Sequence, residues 1–132
     1  MIKDIFDMYH GKKPTGFFKH YLFLFSMVEG LEAKNTFEFG TGLSTACIID
    51  ALRITGGKHI SCDINPINMT GLDEQFVKDN SDIWTFHQCD SSDMYRKQME
   101  PIDFMLHDGS HDPKILEEDI MKNIKQLLLK II

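Results

Sequence analysis

The stretch FEFGTGLSTACIIDAL, Phe37–Leu52, passes from an apolar run through Gly-Thr-Gly straight into a helical pattern. Gly40 and Gly42 occupy the bend. Glycine permits positive φ and carries no Cβ to hold a ligand off, so the backbone can be approached closely there. Free amides at the start of the next helix add partial positive charge suited to a carboxylate or phosphate. Ser44 or Thr45 is placed to cap that helix. A tight strand-to-helix turn that binds nothing would use the same glycines, so the bend alone leaves both readings open. Acidic residues then recur where apolar runs end, at Glu38, Asp63, Asp90 and Asp108. A carboxylate at the end of a second strand can accept hydrogen bonds from both hydroxyls of a ribose. Ser91, beside Asp90, offers a hydroxyl and backbone groups to an adenine edge. One such acid is ordinary on a solvated loop; four in phase with successive strands are harder to assign to solvation.

The elements that position these residues follow from the spacing of apolar side chains. Residues 2–9 keep helical spacing until Gly11-Lys-Lys-Pro-Thr-Gly16 breaks it. A second helix is predicted over 17–32, with Phe18, Leu22, Phe25 and Val28 forming much of one face. From residue 35 onward strands and helices alternate. Strands are predicted at 36–39, 59–63, 84–89 and 102–107. Helices fall at 44–54, closed by Gly56-Gly57, and at 68–79, with a helical turn around 92–97. A last helix opens at Asp112-Pro113, where proline's missing N–H costs nothing, and runs to about residue 126. Residues 128–132 begin a fifth strand. Strands separated by helices imply a parallel sheet with right-handed crossovers, covered on both faces. The fold class is therefore α/β, a Rossmann-like, mostly parallel sheet. Its ligand site lies outside the strand carboxyl ends, near the switch in strand order.

Composition narrows the partners. At 132 residues the chain makes one domain, with N-terminal helices over 1–34 and the core over 35–132. A net charge of −6 and a pI near 5.4 argue against a nucleic-acid or anionic-membrane surface, because phosphate neutralisation needs a basic face. Small-molecule chemistry fits better. Cys47, Cys62 and Cys89 are odd in number and far apart, so free thiols in a reducing cytoplasm are expected. The longest apolar stretch, residues 21–28, is far below a membrane span, and no signal peptide is expected.

With these residues in place, GTGLST after an acid, CDINP, HQCDSSD and IDFMLHDGSHDPKILEED resemble the ordered motifs of class I S-adenosylmethionine-dependent methyltransferases. The subgroup is the one with DGSH after strand four, related to catechol-type O-methyltransferases. The resemblance covers roughly residues 35–132. It implies that Glu38, Gly40 and Gly42 line the methionine part of the cofactor, with Ser44 close to its carboxylate. Asp63 would hold the ribose hydroxyls. Asp90 would bind the adenine amino group, with Ser91 beside it. Asp108 would face the sulfonium and the acceptor, and His111 would lie at the mouth as base or substrate contact. His107 is expected to be packed or hydrogen-bonded. No metal is expected from His107, Asp108, His111 and Asp112, because neighbouring side chains at an extended strand end point to opposite faces.

Such methyltransferases continue past strand five with two further strands and a loop over the acceptor, whereas this sequence stops at Leu127-Leu-Leu-Lys-Ile-Ile132. The C-terminal strands are therefore expected to be truncated. An open sheet edge pairs readily with another copy, so a homodimer or higher oligomer is expected; the Phe-rich N-terminal helix offers a second interface. Lys12, Lys13 and Pro14 belong to a solvated loop rather than a lid. Two other functions compete with methyl transfer. One is a nicotinamide dinucleotide oxidoreductase, although Thr45 stands where the third glycine of GxGxxG would be. The other is a cofactor-binding or assembly fragment without turnover.

Overall fold

The computed structural model describes residues 20–94 and 101–128, with side chains through Asn123. The helix predicted at 2–9, the loop at Lys12-Lys13-Pro14, Phe18 and residues 129–132 of the predicted fifth strand lie outside these residues, as do positions 95–97 of the predicted helical turn.

Helix α1, Tyr21–Gly30, buries Tyr21, Leu24, Phe25 and Val28, spaced i, i+3, i+4, i+7 on one face. Leu22 was expected on that face but is 53% exposed. The buried stripe instead begins at Tyr21, whose hydroxyl donates to Asp50 at 2.8 Å. Strand β1, Asn35–Phe39, leads through the glycine bend into helix α2, Leu43–Thr55. Gly56 ends α2 in the left-handed conformation, φ 78°, and returns its N–H to the Leu52 carbonyl at 2.7 Å. Strand β2 spans Lys58–Asp63. The single helix predicted over 68–79 is instead a 3-10 turn, Ile67–Met69, followed by a short helix α3, Glu74–Asp79. Gly71 divides them at φ 86°, and Asp73 caps the second piece by accepting the Phe76 N–H at 2.8 Å. Strand β3, Trp84–Gln88, short helix α4, Ser91–Met94, and strand β4, Phe104–His107, follow. Helix α5 runs Pro113–Leu128, so Leu128 ends a helix rather than opening a strand.

The four strands pair in parallel in the order β3-β2-β1-β4. Side chains alternate across the sheet as the period of two demands. On one face Phe37, Phe39 and Cys62 pack with Met94 and Ile102. The other is covered by α1 and α2, where Val28, Ile48 and Leu52 are buried beside Trp84. Each such side chain contributes about 1.5–3 kcal/mol by leaving water. Among the described residues no helix is long and apolar enough to cross a membrane.

Candidate functional site

The chain runs outward from β1 through β2 to β3, then crosses back to place β4 on the other side of β1. The connections leaving β1 and β4 therefore diverge, and a crevice opens between them at the carboxyl ends. A hollow of about 390 Å³ lies there. Phe39 and Gly40 line it from the end of β1, and Cys62, Asp63, Ile64 and Asn65 from β2. Cys89, Asp90 and Ser91 line it after β3, and Asp108, Gly109 and Ser110 after β4, with Ile115 from α5.

Gly40 is required by the meeting of two strand exits. Its φ is 87°, and a Cβ would stand 2.4 Å from the Asp108 carbonyl oxygen. The Gly40 N–H donates to Cys62 O and the Asp108 N–H to Phe39 O, each at 2.8 Å. Gly42 differs. Its backbone is extended, φ 171°, and a Cβ there would meet the Thr70 carbonyl at 3.3 Å. Thr45, rather than Ser44, secures the start of α2: its Oγ1 accepts the Gly42 N–H at 3.0 Å.

Asp63 holds the bend and faces the hollow together. Its Oδ2 accepts the Thr41 N–H at 3.0 Å and its Oδ1 the Asn65 N–H at 2.8 Å. A carboxylate has about four acceptor sites, so each oxygen keeps capacity for a further donor. Asp90 Oδ1 accepts the Ser92 N–H at 2.9 Å. Hydrogen bonds from the Ser92 backbone and hydroxyl hold the Asp90 carboxyl below the usual carboxylate range. Asp108 is exposed at the rim. Among the described residues, three carboxylates and no Lys, Arg or His line the hollow, which favours a ligand carrying positive charge and hydroxyl or amino donors.

Of the residues picked out in the sequence, the structure thus gathers Gly40, Asp63, Asp90, Ser91 and Asp108 around one hollow. Glu38, Gly42, Ser44 and His111 do not line it. Glu38 is fully buried on the α2 side of the sheet, where Ser44 Oγ donates to its Oε1 and Thr45 Oγ1 to its Oε2. His111 is exposed one position beyond Ser110. His107 lies with Nε2 3.0 Å from Asp119 Oδ2 and its ring 4.8 Å from that of Phe39. Among the described residues no three His, Cys, Asp or Glu side chains are placed to hold a metal ion. The sequence reading did not select Ile64, Asn65, Ser110 and Ile115. Ile64 had a signal: it directly follows a strand-end acid, and its apolar side chain is 69% exposed beside the hollow.

The family model described as Methyltransferase domain matches residues 37–130, from the glycine bend through the last helix. The fold is similar to that of the O-methyltransferase from Bacillus cereus solved in complex with SAH, with a TM-score of 0.64 and 17% sequence identity. That likeness covers 92% of this chain, which spans 59% of the Bacillus cereus chain. No curated protein matches the chain.

Proposed function

The chain belongs to the methyltransferase-domain family, and we propose that it binds S-adenosylmethionine across its strand ends and methylates a small molecule at oxygen. One observation carries this reading. The strand order places Asp90, Asp63, Gly40 and Asp108 in a row. Neighbouring strands are about 4.8 Å apart, so the row spans about 14 Å, suited to an extended adenosyl amino acid. Adenine falls at Asp90 and Ser91, ribose at Asp63, the methionine portion at Gly40, and the sulfonium beside Asp108. The SAH complex of the Bacillus cereus O-methyltransferase supports a ligand of the S-adenosyl class.

The charge of the lining separates this ligand from a dinucleotide. A pyrophosphate would face Asp63, Asp90 and Asp108 without a basic side chain among the described lining residues, and like charges at that range repel. A sulfonium is attracted. Bound there, S-adenosylmethionine supplies a methyl group already activated for transfer. The protein's task is then to align the acceptor in line with it, exclude water and receive a proton. Asp108 touches the reacting end of the hollow, and His111 at the mouth takes the acceptor's proton. The net charge of −6 fits a small-molecule acceptor better than a nucleic acid. Free thiols suit the cytoplasm, and exposed Phe23 and Met27 on α1, with Leu31 just after it, support a homodimer.

Transfer of labelled methyl from S-adenosylmethionine to a panel of phenols, catechols and aliphatic alcohols tests the reading. Label in at least one ether product, abolished by Asp108→Ala, is the expected result. Firm S-adenosylhomocysteine binding with no transfer to any acceptor would favour a cofactor-binding module without turnover.

A further inference from the structure

Beneath the glycine bend runs a buried polar chain that no step of the proposed reaction uses. His59, on β2, is 1% exposed and lines no part of the hollow. Its Nε2 lies 3.2 Å from Glu38 Oε2, and its Nδ1 lies 2.8 Å from Thr36 Oγ1. A carboxylate only accepts, so Nε2 carries the proton of the first contact. The same Glu38 Oε2 accepts the Thr45 hydroxyl at 2.6 Å, and Thr45 Oγ1 in turn accepts the Gly42 N–H at 3.0 Å. Four groups thus connect the middle of the sheet to the bend: imidazole, carboxylate, hydroxyl, backbone amide.

We infer that His59 is a positioning residue for the glycine bend, acting through Glu38 and Thr45 on the end of the hollow that takes the amino-acid half of the ligand. A fully buried carboxyl oxygen needs donors to replace the water it has given up. Beside the Ser44 and Thr45 hydroxyls, His59 supplies a donor from β2 and fixes which way Glu38 Oε2 points. Thr45 then directs its O–H toward Glu38, which leaves its oxygen lone pairs to accept the Gly42 N–H. Three further ties of the bend, Thr41 N–H to Asp63, Thr41 Oγ1 to Ser61 Oγ and Gly40 N–H to Cys62 O, run to β2, the strand that carries the ribose contact. Loss of His59 therefore loosens the bend at its α2 end and leaves the Asp63 and Asp90 contacts in place.

This inference rests on the S-adenosyl reading of the hollow, and the experiment separates the two. Calorimetry measures S-adenosylhomocysteine and adenosine against the wild type, His59→Leu and His59→Gln. Adenosine reaches Asp90 and Asp63 alone, whereas S-adenosylhomocysteine also reaches the bend. Wild type that binds neither ligand refutes the S-adenosyl reading itself. Where wild type binds both, His59→Leu is expected to lose about tenfold in S-adenosylhomocysteine affinity, the scale of one lost hydrogen bond. Adenosine affinity is expected to stay within about twofold, and His59→Gln, which keeps a donor toward Glu38, restores most of the loss. Equal losses for both ligands, or no loss for either, overturn the inference. If His59→Leu does not fold, Glu38→Gln/His59→Leu removes the carboxyl left short of a donor and is held to the same ratio.

Discussion

The carbonyl oxygen of Asp108 stands 2.4 Å from the point a Cβ on Gly40 would occupy, so the exits of β1 and β4 meet backbone to backbone. Gly40→Ala forces either a strained side chain at φ 87° or a parting of the two strands. The left-handed penalty and the overpacking together are expected to cost about 2–5 kcal/mol. Urea denaturation checks the value. A loss within experimental error would show that the two exits move apart freely.

Asp63 supports the bend through two backbone amides and offers its remaining acceptor sites to the ligand. Asp63→Ala is expected to weaken S-adenosylhomocysteine binding by about 1–3 kcal/mol through lost charge-assisted hydrogen bonds. Asp63→Asn, which keeps one acceptor oxygen, falls between. Calorimetric titration of folded variants measures both, and unchanged affinity in Asp63→Ala would remove the ribose from this strand end.

Asp108 is exposed and its side chain has no structural task among the contacts described. Asp108→Asn is therefore expected to change stability by no more than about 0.5 kcal/mol. Its effect falls on charge. Affinity for S-adenosylmethionine drops by about 1 kcal/mol, while affinity for the neutral thioether of S-adenosylhomocysteine holds. Equal losses for both ligands would mean that Asp108 does not sense the sulfonium.

The strand-end acids Asp63, Asp90 and Asp108 were legible because the end of a parallel strand faces the crevice whatever packs around it. Glu38 sits one residue before the end of β1, so alternation turns it away from the Phe37 and Phe39 side and under α2. The pattern Thr36-Phe37-Glu38-Phe39 carried that information in its period of two, but proximity to the glycines drew the acid toward the ligand. His59 and Ser61 alternate with Ile60 and Cys62 in the same way, and both are buried polar residues on the α2 side. The interrupted helix after β2 was hidden because apolar residues at Ile67, Leu72, Phe76 and Val77 suit one long helix. Gly71 with a left-handed backbone and Asp73 as a cap decide otherwise. The partners of a buried polar group depend on tertiary register, which spacing along one chain does not encode.

Alkaline pH should destabilise the fold. Burial foremost, with the nearby charges of Asp50 and Glu38, pushes the Cys47 thiol from 9.0 up to about 12. Burial likewise raises Cys62, with Cys89 beside it, and raises the Tyr21 hydroxyl, which also donates to Asp50. For a raised acid the native state keeps a proton that the unfolded chain releases. The stabilisation is complete below the unfolded value and is lost as pH climbs toward the folded one. For Cys47 that window runs from 9.0 to about 12. Each such thiol contributes a slope approaching about 1.4 kcal/mol per pH unit. Denaturant midpoints at pH 8, 9 and 10 should fall progressively, and Cys47→Ala should flatten the decline. A flat profile in the parent protein would contradict the burial of these groups.

The most direct measurement is a crystal structure of the protein soaked with S-adenosylhomocysteine. The predicted density runs along the strand ends, with adenine at Asp90 and Ser91, both ribose hydroxyls on the Asp63 carboxylate, and the sulfur between Gly40 and Asp108. A ligand seated elsewhere on the molecule, or a hollow that stays empty at saturating ligand, would contradict the assignment.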